Sequence, residues 1–202
     1  MTEWGMHVLR FSLDEPFSAL IFDCDGTLVD TARAHLAAYN VALAKAREEM
    51  SWQWYSTRLG VPARELLIEL FEERQLELAI EEAVADHARA YQASFAQMRE
   101  ITAVAEVARA YHGKVPMAVA SNGIRANVVG SLRGAGLLAL FDSVVGVDEV
   151  EQGKPEPDLY LEAARRLNFA PKDCIVFEDT AEGLEAAHRA GMRTRDVTRI
   201  IL

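Results

Sequence analysis

The chain has 202 residues, 50% of them hydrophobic and 26% charged, a balance that places it among ordinary globular chains and excludes disorder and collagen-like repeats. Its 21 Lys and Arg against 31 Asp and Glu give a formal net charge of −10, which argues against nucleic acid or an anionic membrane as the main partner. A small anion is not excluded, because one local site can override the global sign.

Residues Met1 to Glu15 mix Glu3, His7, Arg10 and Asp14 with apolar residues, so no secretory leader is expected there. The first sixteen residues are read as a candidate edge strand. No uncharged apolar window reaches the roughly eighteen residues that a membrane helix needs. Cys24 and Cys174 each lie inside an apolar run, and together these features point to reduced thiols in a cytoplasmic protein, either a monomer or a small homo-oligomer.

Short apolar runs ending in polar or acidic residues predict buried parallel strands at Phe17 to Asp23, Val115 to Ser121, Ser143 to Asp148, Cys174 to Asp179 and, more weakly, Arg193 to Val197. Helices are predicted over Ile124 to Arg133, Asp158 to Leu167 and Ala181 to Ala190, the last closed by Gly191. Strands alternating with helices imply right-handed crossovers and an open parallel α/β sheet.

Between Thr31 and Glu100 the pattern changes to three successive helical stretches. Pro62 stands near the first turn of the second, whose Leu66, Leu67, Leu70 and Phe71 share a face; Val84, Ala88, Tyr91, Phe95 and Met98 form the stripe of the third. These stripes read as packing within a small bundle, as do Trp52, Trp54 and Tyr55 in preference to a sugar platform. The expected organisation is a core of residues 1–31 and 101–202 with an all-helical cap at 32–100. Asp30 and Thr31 would form one hinge strand, Glu100 to Thr102 the other.

The strand ends carry the chemistry. Phe22-Asp23-Cys24-Asp25-Gly26-Thr27 delivers two carboxylates to the carboxyl end of the first strand, where open α/β sheets bind ligands. Ser121-Asn122-Gly123 supplies a hydroxyl, an amide and a helix N-terminus suited to phosphate oxygens. Lys154 sits in a proline-stiffened loop, and Glu178 and Asp179 end the fourth strand.

In order and approximate spacing, Asp23-x-Asp25-Gly26-Thr27, Ser121-Asn122, Lys154-Pro155-x-Pro157-Asp158 and Glu178-Asp179 resemble the four motifs of the haloacid dehalogenase superfamily. The stretch Phe177 to Met192 is similar to the branch holding β-phosphoglucomutase and sugar-phosphate phosphatases, and the short chain resembles its fructose-1-phosphate phosphatase-like members. The resemblance implies a Rossmann-like core, a small phosphorylated metabolite as substrate, Asp23 as nucleophile and Asp25 as general acid and base. It further implies that Gly26, Thr27, Ser121, Asn122 and Lys154 hold the phosphate. Mg²⁺ would be held by Asp23, the Asp25 carbonyl, Asp179 and, directly or through water, Glu178. His35, Arg58 and Arg64 are the candidate cap-side substrate contacts.

A cysteine-phosphatase loop would need an arginine where Asp30 stands, and a P-loop would need a glycine where Asp148 stands. A literal dehalogenase usually lacks an acid at the Asp25 position. Two alternatives stay open at this point: a β-phosphoglucomutase-type mutase and, more distantly, a receiver-like phospho-acceptor domain.

Overall fold

The computed structural model describes residues 13, 16–77 and 79–201. Five parallel strands form the main sheet: β1 (Ala19–Phe22), β4 (Met117–Ala120), β5 (Ser143–Val145), β6 (Cys174–Glu178) and β7 (Arg193–Asp196), in the order β5-β4-β1-β6-β7. The earliest strand is therefore central, with Phe22 in register with Val119 on one side and Phe177 on the other. The edge strand read for the first sixteen residues lies outside the described residues, apart from Leu13 and Pro16.

Strand side chains alternate between faces. Leu20 and Phe22 join one core with Val119, Ile175 and Phe177, covered by α5 (Thr102–Tyr111) and α6 (Arg125–Gly134). Ala19 and Ile21 join the other, covered by α7 (Asp158–Leu167) and α8 (Ala181–Arg189). Phe22 and Phe177 stack at 4.7 Å between ring centroids. Helix α7 has the bounds expected from its amphipathic pattern, and Gly191 follows α8 with φ 75°, the left-handed cap that a glycine supplies without steric cost.

All five strands are shorter than expected, and β5 loses half its length. β5 stops at Val145, and Val147–Glu149 forms a 3₁₀ turn instead. The Glu149 carboxylate accepts from the Gly146 N–H at 3.1 Å, and Asp148 Oδ1 accepts from the Arg125 N–H at 2.7 Å. Local polar groups thus close the strand and cap α6.

Two short strands, β2 (Val29–Asp30) and β3 (Arg99–Glu100), pair antiparallel one or two residues upstream of the expected hinge strands. Between them lie α1 (Ala32–Leu43), α2 (Trp52–Tyr55), α3 (Ala63–Arg74) and α4 (Ile80–Ala93). This helical segment has its own core, with Tyr39, Leu43, Met50, Tyr55, Leu66, Leu67, Leu70 and Phe71 packed together. Trp54 packs against that core and donates to Glu73 Oε2 at 2.7 Å, as the packing reading of the Trp52-to-Tyr55 stretch expects. The buried face of α4 is Ala83, His87 and Tyr91; Val84 and Ala88 of the expected stripe instead line the cleft facing the sheet.

Candidate active site

A cleft of about 630 Å³ lies between the carboxyl ends of the strands and the helical segment. Asp23 and Asp25 enter it from the loop after β1, Ser121 and Asn122 from the end of β4, and Lys154 from the loop before α7. Asp23 directly extends β1, its N–H donating to the Phe177 carbonyl at 2.9 Å.

Lys154 organises the floor. Its Nζ donates to Asp23 Oδ1 at 2.6 Å and Glu178 Oε2 at 2.7 Å, with its side chain only 4% exposed. Burial opposes its charge, but Asp23 and Glu178 outweigh that and keep its pKa above the ordinary lysine value. Burial would also raise Glu178, yet Lys154 beside it, together with hydrogen bonds from Tyr160 and the backbone, holds its pKa down.

Both Glu178 oxygens are surrounded by donors. Oε1 accepts from the N–H groups of Asp179 and Thr180 at 3.0 Å and from the Thr180 hydroxyl at 2.9 Å, while Oε2 accepts from Lys154 and the buried Tyr160 hydroxyl. A Cβ at Gly183 would run into this carboxylate, so the first turn of α8 approaches it as only glycine allows.

Asp23 and Asp179 are less well compensated. Burial, then Glu178, pushes the Asp23 pKa well up against the pull of Lys154. Burial and Glu178 push Asp179 up to about 7 against a 2.8 Å hydrogen bond from Thr27 Oγ1. One oxygen from each of Asp23, Glu178 and Asp179 fits within a 4.8 Å span. Three clustered hard-oxygen carboxylates with one buried ammonium leave negative charge over, and that chemistry fits a Mg²⁺-sized divalent cation. Asp23 and Asp179 are the side chains with oxygen to give it; Asp25, expected to act through its carbonyl, does not join this carboxylate cluster.

Asp25 faces the helical side of the cleft. Its Oδ2 accepts from Ser121 Oγ at 3.2 Å, and its Oδ1 lies 3.5 Å from the Tyr91 hydroxyl, which also meets Ser131 Oγ at 2.9 Å. Ser121 Oγ in turn accepts from the Gly123 N–H at 3.0 Å.

Three residues expected to hold phosphate have hydrogen-bond partners within the protein. The Thr27 hydroxyl is turned onto Asp179. The Gly26 N–H donates to the Val29 carbonyl at 2.9 Å; its φ of 87° and the nearness of the Asp179 carboxylate, which a Cβ would strike, explain the glycine. Asn122 clamps the backbone of Lys154, accepting from its N–H at 2.8 Å and donating to its carbonyl at 3.3 Å. The N–H groups of Cys24 and Asp25, by contrast, have no protein acceptor among the described residues.

Of the cap-side candidates only His35 lines the cleft. Arg58 stacks over Trp54 and pairs with Glu69 at 2.8 Å, and Arg64 pairs with Glu81 at 3.1 Å. The loop between them and α3 present Leu59 to Ala63 and Glu65 to the cleft instead. Cys24 and Cys174 are both buried and unbridged, as their apolar settings suggested.

His87 and Tyr160 escaped the sequence reading, because each occupies a helix position indistinguishable from core. Burial, and then His35, lowers the His87 pKa from 6.5 to about 3. As pH falls the unfolded chain binds this proton first, so the contribution of His87 to stability is complete above about pH 6.5 and is lost toward pH 3. The expected loss is about 1.4 kcal/mol per pH unit within that window, and His87→Gln should show a shallower decline in denaturant titrations at pH 7, 6 and 5. Equal slopes would contradict a buried neutral ring.

An acid pair ending the central parallel strand, a buried lysine across from it and a second acid pair on the neighbouring strand thus share one cleft. The chain belongs to the haloacid dehalogenase-like hydrolases, whose family pattern matches residues 20–197. It is 32% identical over 183 residues to the fructose-1-phosphate phosphatase YqaB of Escherichia coli, covering 91% of this chain and 97% of that protein. It is 31% identical over 176 residues to a phosphorylated carbohydrates phosphatase of Thermotoga maritima, covering 86% and 82%. The crystal structure of CbbY from Rhodobacter sphaeroides in complex with phosphate superimposes with a TM-score of 0.76 at 27% identity, over 88% of this chain and 84% of that one. Among the described residues no helix is long and apolar enough to cross a membrane.

Proposed function

We propose that this enzyme is a Mg²⁺-dependent phosphatase of small sugar or polyol phosphates that works through an aspartyl-phosphate on Asp23. The observation that carries the reading is the buried Lys154 ammonium held between Asp23 and Glu178, beside an Asp25 already hydrogen-bonded to Ser121.

Phosphoryl transfer asks chiefly for positioning and charge neutralisation. Asp23 Oδ1 is held by Lys154, and its Oδ2 has no protein donor among the described residues, which leaves a carboxylate oxygen for attack on phosphorus. The attack forms an acyl phosphate and breaks the ester P–O bond. Asp25 delivers a proton to the departing alkoxide and then takes one from the water that cleaves the acyl phosphate. Lys154, the Ser121 hydroxyl and the N–H groups of Cys24 and Asp25 surround the phosphate oxygens. Glu178 keeps Lys154 charged and aimed. Asp23, Asp179 and the Asp25 carbonyl would hold the cation, which would supply charge neutralisation between carboxylates and phosphate.

The helical segment between β2 and β3 would act as a cap that closes over the substrate and excludes water. The pairing of Arg58 with Glu69 and of Arg64 with Glu81 favours hydrolysis over mutase chemistry, because it engages the cations expected to hold a distal phosphate. Removing divalent metal with EDTA should lower p-nitrophenyl phosphate turnover by on the order of 10³-fold, and Mg²⁺ should restore it. Hydrolysis that survives chelation would refute the cation's role.

A further inference from the structure

Phosphoryl transfer at Asp23 does not use the pair of imidazoles on the helical side of the cleft. His35 of α1 and His87 of α4 both line the cleft, with His35 Nδ1 3.3 Å from His87 Nε2. A phenol ring fixes each plane: His35 stacks on Tyr91 at 3.8 Å between centroids, and His87 on Tyr39 at 4.1 Å. Burial lowers both pKa values, with His35 also lowering that of His87 and Asp25 opposing the fall at His35, so both rings are neutral near pH 7.

Two neutral imidazoles joined by one hydrogen bond carry one donor and one acceptor on their outer nitrogens, whichever ring donates. Those outer nitrogens, His35 Nε2 and His87 Nδ1, have no protein partner among the described residues. A donor and acceptor pair of this kind matches hydroxyl groups, which do both. It is a poor match for a phosphate dianion, which only accepts.

The charges lining the cleft point the same way. Among the described residues Lys154 is the one Lys or Arg of the lining, and it is already engaged by Asp23 and Glu178. Away from the catalytic floor the charged lining residues are Glu65 and Glu182, both exposed at the rim. A second phosphate in the leaving group would meet carboxylates and neutral imidazoles, with no cation to receive it.

We propose that the cleft selects monophosphates of polyhydroxylated alcohols over bisphosphates, with His87 as a specificity-determining residue that hydrogen-bonds leaving-group hydroxyls in concert with His35. This rests on the phosphatase reading above and adds to it the discrimination against bisphosphates and the residue that contacts the leaving group.

The test measures inhibition of p-nitrophenyl phosphate hydrolysis by the full chain with Mg²⁺, using fructose 1-phosphate and fructose 1,6-bisphosphate as competitors. The monophosphate should compete about tenfold or more better, since juxtaposed like charges disfavour the bisphosphate. Equal or tighter competition by the bisphosphate, or no competition by the monophosphate, would overturn the proposal. His87→Phe should weaken the monophosphate about tenfold while affecting the KM for p-nitrophenyl phosphate less, and His87→Gln, which keeps a hydrogen bond toward His35, should recover part of the loss. Equal loss for both ligands in both variants would make His87 a packing residue and remove its assignment. Glu65→Lys should narrow the gap between the two competitors; an unchanged gap would count against the charge argument. Failure of the wild type to hydrolyse p-nitrophenyl phosphate at all would instead sink the phosphatase reading on which this one stands.

Discussion

Asp23→Asn is expected to abolish turnover, by about 10⁴-fold or more, while leaving the protein as stable as before or slightly more so. The activity loss follows from chemistry, since an amide oxygen cannot form the acyl phosphate. The stability result follows from electrostatics. Burial and Glu178 make the Asp23 charge unfavourable where it stands, so a neutral group of the same shape relieves strain, and Lys154 keeps Glu178 as its partner. Kinetics on p-nitrophenyl phosphate with Mg²⁺ present, and thermal denaturation of the metal-free protein, check the two halves. Retained turnover would remove Asp23 as the nucleophile, and a large drop in melting temperature would show that its charge supports the fold.

Lys154→Met should also be inactive but for a different reason and with the opposite effect on stability. Removing one partner of a buried ion pair leaves the others uncompensated, which costs about 3–5 kcal/mol. Here two carboxylates depend on one ammonium whose side chain is 4% exposed, so the cost should lie in the upper part of that range. Lys154→Arg should not rescue activity, because a planar guanidinium cannot replace a compact ammonium 2.6 Å and 2.7 Å from two acids. Chemical denaturation of the three proteins would decide, and a Lys154→Met protein of unchanged stability would show that Glu178 and Asp23 are compensated by something else. Together the two substitutions separate chemistry from architecture: both variants are dead, but only the second is fragile.

Much of this was legible in the sequence because strand ends in a parallel sheet advertise themselves. An apolar run needs nothing polar until it leaves the core, so an acid at its end marks both the boundary and the site, as at Asp23 and Asp179. Helix α7 was legible to the residue because its apolar face and terminal charges agree. The sequence said least where a side chain had a choice of partner. Thr27 and Asn122 are near the phosphate site by position, yet each is taken by a group distant in the chain, Asp179 and the Lys154 backbone. Arg58 and Arg64 are claimed by Glu69 and Glu81, pairings that motif spacing does not reveal. His87 and Tyr160 were invisible for a related reason: on a helix stripe, burial and function look alike until the opposing element is known.

The contacts that assemble the floor span long stretches of chain. Asp23 meets Lys154 across 131 positions, and Thr27 meets Asp179 across 152. β1 can pair with β6 only after the whole stretch between them is available, so a nascent chain carries the nucleophile early yet holds no competent centre until β6 arrives. Recovery of turnover during refolding is thus expected to trail the recovery of helical signal, making catalysis itself the reporter of final chain closure.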